Sequence, residues 1–104
     1  MYRHELRFVL RFGVRRDFEE LARRLHEHES ARGWAPPRFW QATNGRVNQL
    51  VIEHEYESVE RLRSERAAFH DEPAEVGEIL ARLADLAVPG TAVEYEFAGL
   101  DALP

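Results

Sequence analysis

The amino-acid sequence predicts an α+β fold, a ferredoxin-like sandwich in which helices cover one face of a four-stranded antiparallel sheet. Three observations lead to this prediction. Segments near both ends of the chain alternate apolar and polar residues, as β-strands do. An Asn-Gly pair between two further β-like runs indicates a hairpin. The remaining segments have the apolar spacing of helices. The predicted order is β-α-β-β-α-α-β, with the first strand lying between the third and the fourth.

Length and composition limit the class of protein. The 104 residues predict a single domain spanning 1–104, with 44% apolar and 32% charged residues. No apolar run approaches the ~20 residues of a membrane span, and the N-terminus has no continuous apolar segment of a secretory signal. The net charge of -5 argues against a nucleic-acid partner. We therefore expect a cytoplasmic protein that binds neither nucleic acid nor membrane.

Two residue types are missing from the chain, and each excludes a class of chemistry. Without cysteine there can be no disulfide, thiolate zinc site, iron–sulfur cluster or cysteine nucleophile. All 14 basic residues are arginine, so Schiff-base and P-loop lysine chemistry are also excluded. No phosphate-binding loop or metal-ligand spacing is present either. We expect no cofactor.

The first half of the chain predicts a strand followed by a helix. Alternation runs from Tyr2 to Phe12. After Gly13, Asp17 and Glu20 resemble a capping box that begins a helix. The helix is predicted to end at Gly33. Pro36 and Pro37, which follow, forbid its continuation. Its apolar stripe consists of Phe18, Leu21, Leu25 and His28.

The second half predicts a hairpin, two helices and a last strand. Asn44-Gly45 is predicted to form a two-residue turn. Ser58 is a suitable N-cap for a helix to about His70, and Pro73 suits the first turn of the next helix. That helix ends before Val88-Pro89-Gly90. Its stripe consists of Val76, Ile79, Leu80, Leu83 and Leu86, and the last strand alternates Val93, Tyr95 and Phe97.

The predicted register assigns side chains to the two faces of the sheet. The tight turn would place Gln41 opposite Asn48 and Phe39 opposite Leu50. Aligning the first strand antiparallel to the third, with Phe8 opposite Leu50, brings together two pairs on the helix-covered face: His4 with His54, and Tyr2 with Tyr56. The same alternation places Arg3 and Arg7 on the open face, where opposite charges would pair across strands. Their predicted partners are Glu53, Glu55, Glu94 and Glu96.

The open face also carries an apolar group that a monomer would leave exposed. A tryptophan with several valines is more apolar area than a soluble monomer usually exposes. Packing against a second copy of the same sheet would bury it. We therefore predict a homodimer whose interface contains Val9, Trp40, Ala42, Val47 and Val51.

Three segments of the chain carry a resemblance to a known superfamily. They are Asn48–Tyr56, with the sequence NQLVIEHEY, the pair Ser58-Val59, and the segment from His70 to Thr91, which includes LARLADLAVPGT. In these the chain resembles the dimeric α+β barrel superfamily, which contains NIPSNAP proteins and antibiotic-biosynthesis monooxygenases. The resemblance implies a homodimer whose two sheets face each other. It does not fix an activity, because members range from cofactor-free oxygenation, haem degradation, cyclisation and isomerisation to ligand sensing.

Haem degradation fits this sequence poorly. In haem-degrading relatives an Asn, a Trp and a His converge on one pocket. Here Trp40 is predicted on the face opposite to His4, His54 and Asn48, and the first strand contains no Asn.

His4 and His54 are the candidate catalytic residues. Two neutral imidazoles can supply a general base and its orienting partner, and their usual pKa near 6.5 suits that role. The alternative is that both only hydrogen-bond to water or tyrosine at the end of the sheet. A metal site would need a third ligand such as Glu57 or His70, which the spacing does not supply, so we predict no metal site.

Other polar residues are weaker candidates. Tyr2 and Tyr56 are predicted to shape a ligand pocket, and Gln41 and Asn48 to orient a ligand carbonyl or hydroxyl, unless the two amides simply pair with each other. The row formed by Arg3, Arg7 and Arg11 either binds an anion or is neutralised by the glutamates. His28 is predicted at the edge of the core, and Trp34 as either a lid or an anchor for its loop.

Two functions remain open from the sequence. The first is processing of a small apolar or aromatic molecule, by a cofactor-independent oxygenase or cyclase acting on an aromatic or polyketide-like substrate. The alternative is a non-catalytic homodimeric ligand-binding or interaction module of NIPSNAP type.

Overall fold

A computed structural model describes residues 1–71 and 73–102. The element order matches the predicted β-α-β-β-α-α-β, followed by one short 3-10 helix. The bounds are β1 Tyr2–Val9, α1 Arg15–Ala31, β2 Arg38–Gln41, β3 Gln49–Tyr56, α2 Val59–His70, α3 Pro73–Leu86, β4 Val93–Ala98 and the 3-10 helix Leu100–Ala102.

The four strands form one antiparallel sheet in the order β2-β3-β1-β4. This order places β1 between β3 and β4, which confirms the predicted ferredoxin-like sandwich. The core lies between one face of the sheet and the helices. Its buried members include Phe8, Leu50 and Ile52 from the strands, Phe18, Leu21 and Leu25 from α1, Phe69 from α2, and Val76 and Ile79 from α3.

The register between β1 and β3 is the one predicted. Phe8 lies opposite Leu50, His4 opposite His54, and Tyr2 opposite Tyr56. A shift of one residue would have exchanged the faces of both strands. The two histidines therefore share the helix-covered face.

β1 starts at Tyr2 as predicted, but its predicted end and the predicted start of α1 are wrong. β1 ends at Val9, whose carbonyl accepts a 2.8 Å hydrogen bond from the Val88 N–H, and Phe12 is 82% exposed. Beyond Val9, Leu10 forms only an isolated bridge to Ala87 in the chain that follows α3, so the regular pairing with β3 and β4 stops there. α1 begins at Arg15 after Val14, without a side-chain cap, so the capping box is absent.

The helix boundaries in the second half agree with the prediction. The Ser58 hydroxyl accepts a 3.1 Å hydrogen bond from the Arg61 N–H, as an N-cap should, and α2 ends at His70. On α3 the predicted stripe is buried at Val76, Ile79 and Leu86, whereas Leu80 is partly exposed at the surface.

The predicted two-residue turn at Asn44-Gly45 is wrong. β2 ends at Gln41 and β3 begins at Gln49, so the hairpin closes through a longer loop in which Asn48 has φ 59°. Phe39 consequently lies opposite Ile52 and Gln41 opposite Leu50, two residues from the predicted register. Because the shift is even, every β2 side chain keeps its predicted face. Packing favours this register, since Phe39 meets Phe18 of α1 edge-on at 6.1 Å.

The faces of β4 are the reverse of those predicted. Glu94 pairs with Leu6 and Glu96 with His4, so both glutamates lie on the helix-side face. Tyr95 and Phe97 lie on the open face, contributing aromatic area there. The prediction assumed that the apolar side of this strand must face the core. β4 is an edge strand with exposed residues on both sides, so helix packing does not impose that orientation.

Candidate functional site

An apolar cavity of about 50 Å³ lies between the sheet and the helices. Its walls are mainly leucine, isoleucine and phenylalanine side chains from β1, β3 and all three helices. Polar groups gather at the end where β1 and β3 carry their paired histidines. These polar lining residues are His4, Glu29, His54, Arg66, His70 and Glu94. Ligand pockets usually measure ~300–1,000 Å³, so the enclosed volume alone is small.

His54 and Glu29 form a buried pair within this lining. The His54 Nε2 lies 2.6 Å from the Glu29 Oε2, and the two side chains are 3% and 4% exposed. The pair joins the C-terminal part of β3 to the last turn of α1. An ionised carboxylate can only accept, so with Glu29 ionised the His54 Nε2 carries the proton. The carboxylate thus occupies the Nε2 of His54, and the Nδ1 of the same ring can bind a further partner.

His4 lies beside this pair as a neutral imidazole. The rings of His4 and His54 are 6.2 Å apart between centroids, and the His4 Nε2 lies 3.7 Å from the Glu94 Oε1. Burial, with a smaller contribution from the nearby positive charge of Arg66, lowers the pKa of His4 from 6.5 to about 3. His4 is therefore uncharged at neutral pH.

Three buried polar atoms of this cluster have no hydrogen-bond partner among the residues that the structure describes. They are the His4 Nδ1, the His54 Nδ1 and the Glu29 Oε1. A buried polar atom without a partner typically costs about 1–3 kcal/mol. Three of them around one cavity indicate a place where a polar group of another molecule would be stabilised.

Glu29 was not identified as a candidate from the sequence. It follows Leu21 and Leu25 at intervals of four residues, so helical spacing placed it on the buried stripe of α1. A glutamate at such a position needs a buried partner, and His54 supplies it. Of the two histidines, His54 thus has Glu29 rather than His4 as its orienting group.

The tyrosines predicted to shape the pocket lie outside the cavity lining. Tyr56 is buried in a separate small cluster with Ala35 and Leu62, and Tyr2 packs against that cluster. Burial raises the pKa of Tyr56 to about 12, so its hydroxyl stays protonated. The Tyr56 ring still stacks beside His54 at 6.3 Å, which supports the orientation of that imidazole.

Gln41 and Asn48 are not opposite each other, so the predicted amide pair is wrong. Gln41 accepts a 2.5 Å hydrogen bond from the Arg15 guanidinium at the surface. Asn48 lies in the hairpin loop, where its backbone carbonyl accepts from the Leu10 N–H. Neither residue lines the cavity.

Ion pairs and apolar side chains divide the open face of the sheet. The Arg3 Nε lies 3.3 Å from a Glu53 carboxylate oxygen, and Arg7 donates to the Glu5 carboxylate at 2.8 Å. Glutamates therefore neutralise these two arginines, which was one of the two predicted alternatives. Arg11 instead donates to the Ala87 carbonyl. The apolar part contains the predicted Val9, Trp40 and Val51 together with Val93, Tyr95 and Phe97.

The remaining predicted positions have structural surroundings. Val47 lies in the hairpin loop and Ala42 directly follows β2. His28 is fully buried between Trp34 and Phe69, with its Nδ1 2.9 Å from a Glu75 carboxylate oxygen. Trp34 packs against the core, which agrees with an anchor for its loop. Within 1–71 and 73–102, no group of three or more His, Asp or Glu residues could hold a metal ion, and no helix could cross a membrane.

The depressed pKa of His4 predicts a pH-dependent stability. An imidazole titrates near 6.5 in the unfolded chain but at about 3 in this fold. Between these values the unfolded state binds the extra proton, so stability falls as the pH is lowered from 6.5 and is unaffected above 6.5. At pH 5 the loss should be roughly 2 kcal/mol of the free energy of unfolding. Urea unfolding gives the free energy of unfolding at pH 7 and at pH 5. The decrease between these two pH values should be smaller by that amount in His4→Phe than in the wild type.

A second histidine provides the control for this measurement. His26 is exposed on α1, so His26→Phe should keep the pH dependence of the wild type. An unchanged pH dependence in His4→Phe would show that folding does not lower the pKa of His4.

Comparison with solved structures identifies the fold. An uncharacterised NIPSNAP domain protein from Burkholderia xenovorans superposes with a TM-score of 0.74 at 13% identity, covering 100% of this chain and 99% of that one. A NIPSNAP family protein from Agrobacterium tumefaciens gives 0.71 at 16% identity, covering 96% and 86%. A proposed antibiotic biosynthesis monooxygenase from Nitrosomonas europaea gives 0.69 at 19% identity, covering 96% and 99%.

Sequence comparison adds no closer relationship. No protein-family model matches the chain, and no curated protein matches it. The structural relatives confirm the resemblance stated above at the level of the fold. The chain therefore has the ferredoxin-like α+β fold shared by NIPSNAP proteins and antibiotic-biosynthesis-monooxygenase-like proteins.

Proposed function

We propose that this domain binds a small, largely apolar molecule through a hydroxyl or enol group, and that His54 removes the proton from that group. The observation that supports this most directly is the cluster of three unpartnered buried atoms around one cavity: the His4 Nδ1, the His54 Nδ1 and the Glu29 Oε1. Apart from Arg66, His70 and Glu94 at the same end, the other residues that line the cavity are apolar. Such a lining selects an apolar ligand with one polar group.

The hydrogen-bonding capacity of the cluster defines that polar group. With its Nε2–H donated to Glu29, His54 offers a lone pair on Nδ1. Neutral His4 likewise has one nitrogen that can accept, and the free oxygen of the Glu29 carboxylate accepts as well. A site rich in acceptors favours a donor, so a phenol, an enol or another O–H suits it better than a carbonyl.

The charges around the cluster favour proton transfer to His54. When the ligand O–H gives its proton to the His54 Nδ1, the ligand becomes an oxyanion and the imidazole a cation. Glu29 at 2.6 Å stabilises the imidazolium, and Arg66 in the cavity lining offsets the negative charge on the ligand. His54 is thus the proposed general base, Glu29 the residue that orients it, and His4 a further hydrogen-bonding group for the ligand.

This step is the one that a cofactor-independent oxygenase or cyclase would need first. A phenolate or enolate is electron-rich, so it can continue to ring closure or reaction with oxygen without a protein-bound cofactor. An aromatic or polyketide-like substrate provides such an acidic O–H. The structural relative from Nitrosomonas europaea described as a proposed antibiotic biosynthesis monooxygenase is consistent with an activity of this type.

A pair of matched probes tests the site without knowledge of the natural substrate. 4-Methylphenol and 4-methylanisole have similar shape, but only the phenol can donate a hydrogen bond. Calorimetric titration should show the phenol binding at least about tenfold more tightly, because a donor to a charged or buried acceptor contributes ~1.5–3 kcal/mol. His54→Gln should remove this preference.

The control variant is His26→Gln, which changes an exposed histidine on α1 outside the cavity. It should bind both probes like the wild type. Equal affinity of the wild type for phenol and anisole, or an unchanged preference in His54→Gln, would rule out the proposed site.

The open face of the sheet supports a second function, that of a homodimeric interaction module of NIPSNAP type. Trp40 is 53% exposed, and Val93, Tyr95 and Phe97 extend its apolar surface across the sheet. We propose that a second copy of the chain covers this face. Dimerisation is compatible with the cavity on the other face, so the two functions can coexist. If neither probe binds while the chain dimerises, the module alone is favoured.

A further inference from the structure

A second apolar volume adjoins the cavity. It is a groove of about 290 Å³ between α3 and the start of β4. Its lining is apolar except for Glu94, and it includes Leu6, Phe8, Leu80, Leu83, Ala84 and Ala87.

The groove and the cavity share part of their walls. Leu6, Leu80, Leu83 and Glu94 line both volumes. Leu80 and Glu94 are exposed, so their side chains can move without disturbing the core. A molecule with its polar group at His54 could therefore extend past these side chains into the groove.

The dimensions of the groove suit a chain rather than a compact ring. From Leu80 to Ala87, the residue that follows α3, this wall of the groove extends by about 10 Å. The alanines near the far end leave space beside β4 that larger side chains would fill. With the groove included, the site reaches the lower end of the ~300–1,000 Å³ that ligand pockets usually occupy.

Two independent observations thus lie next to each other: buried unpartnered acceptors at one end, and an open apolar groove leading away from them. We propose that the groove binds the apolar tail of the molecule whose O–H group lies at His54, and that the ligand is a phenol or enol carrying a linear alkyl chain. This inference rests on the function proposed above for the polar end. The groove fixes the position of the tail and, through its length, selects the chain length.

A series of 4-alkylphenols tests the tail separately from the polar end. 4-Methylphenol, 4-propylphenol and 4-pentylphenol differ only in methylene groups. Each methylene transferred from water into the groove should tighten binding by about fourfold, corresponding to ~0.8 kcal/mol. The matching 4-alkylanisoles, which cannot donate a hydrogen bond, should show the same dependence on chain length at lower affinity.

Two alanines on α3 give a matched pair of variants. Both Ala81 and Ala84 are exposed, but only Ala84 lines the groove. Ala84→Phe should abolish the gain from longer chains while leaving 4-methylphenol binding unchanged. Ala81→Phe should preserve the full chain-length dependence.

The outcomes separate this inference from the proposed function. If phenols bind better than anisoles but chain length has no effect, the polar site stands and the groove is not a tail site. If phenols bind no better than the matching anisoles, but chain length matters in both series and Ala84→Phe removes that effect, the tail site in the groove is supported and the proposed role of His54 is wrong. Unchanged chain-length dependence in Ala84→Phe, or no binding of either series, overturns the tail site.

Discussion

Replacing Glu29 with leucine is expected to destabilise the domain strongly, because the buried His54 Nε2 would lose the carboxylate that it contacts at 2.6 Å. A buried polar group left without a partner costs about 1–3 kcal/mol. If the pair is ionised, removing one charge leaves the other buried and the cost rises to ~3–5 kcal/mol. Urea unfolding of Glu29→Leu at pH 7 measures the loss, and its size indicates the charge state of the pair.

A double variant distinguishes pairing from packing. Replacing both partners by apolar residues, as in Glu29→Leu with His54→Phe, removes both polar groups and should recover most of the lost stability. The recovered protein should nevertheless fail to bind 4-methylphenol. That result would show that the pair serves binding rather than folding.

An exposed glutamate on the same helix supplies the control. Glu27 pairs with Arg23 at the surface, so Glu27→Leu should change the free energy of unfolding by less than about 1 kcal/mol. A loss in Glu29→Leu no larger than this would contradict the buried pair.

The sequence was sufficient to predict the histidine pair, and the reason is the length of its two strands. β1 and β3 each alternate over eight residues, and one face of each is buried by the helices. A shift of one residue would bury Arg3 and Arg7 under the helices and expose Phe8, which burial energies forbid. Only a narrow range of registers remains, and the one found aligns His4 with His54.

Short-range signals were less reliable where tertiary packing competes with them. Asn44-Gly45 has a strong local preference for a tight turn. A longer loop forms instead, because it gives β2 the register in which Phe39 packs against Phe18. The alternation in β4 correctly predicted a strand, but the side of this strand predicted to face the helices was wrong. When both faces of a sheet carry apolar residues, the pattern alone does not say which face meets the helices.

Glu29 shows a different limit. Helical spacing places it on the buried stripe of α1, but an amphipathic pattern is usually interpreted from its apolar members. The position of its partner on β3 depends on how α1 crosses the sheet, which the sequence does not specify. A charged residue on an otherwise apolar helical stripe is therefore the sequence signal that indicates this site.

The open face of the sheet yields the other large expected effect. In a symmetric dimer each interface residue occurs twice, so one substitution removes two sets of contacts. Phe97 is 42% exposed on this face, and its ring stacks on Tyr95, over which the Arg7 guanidinium lies at 4.6 Å. Loss of a large buried apolar side chain costs ~1.5–3 kcal/mol per copy. Phe97→Glu should therefore raise the dimer dissociation constant by about 10²-fold or more.

Phe12 provides a matched control because it is a phenylalanine of even greater exposure outside the four strands. Sedimentation velocity at micromolar concentration should show a dimer for the wild type and for Phe12→Glu, and a monomer for Phe97→Glu. Trp40→Glu, at the opposite edge of the same face, should resemble Phe97→Glu, because facing sheets bury both edges. A monomeric wild type would leave this apolar face exposed in solution and exclude the dimer, whereas loss of association in Phe12→Glu alone would place the interface away from the sheet.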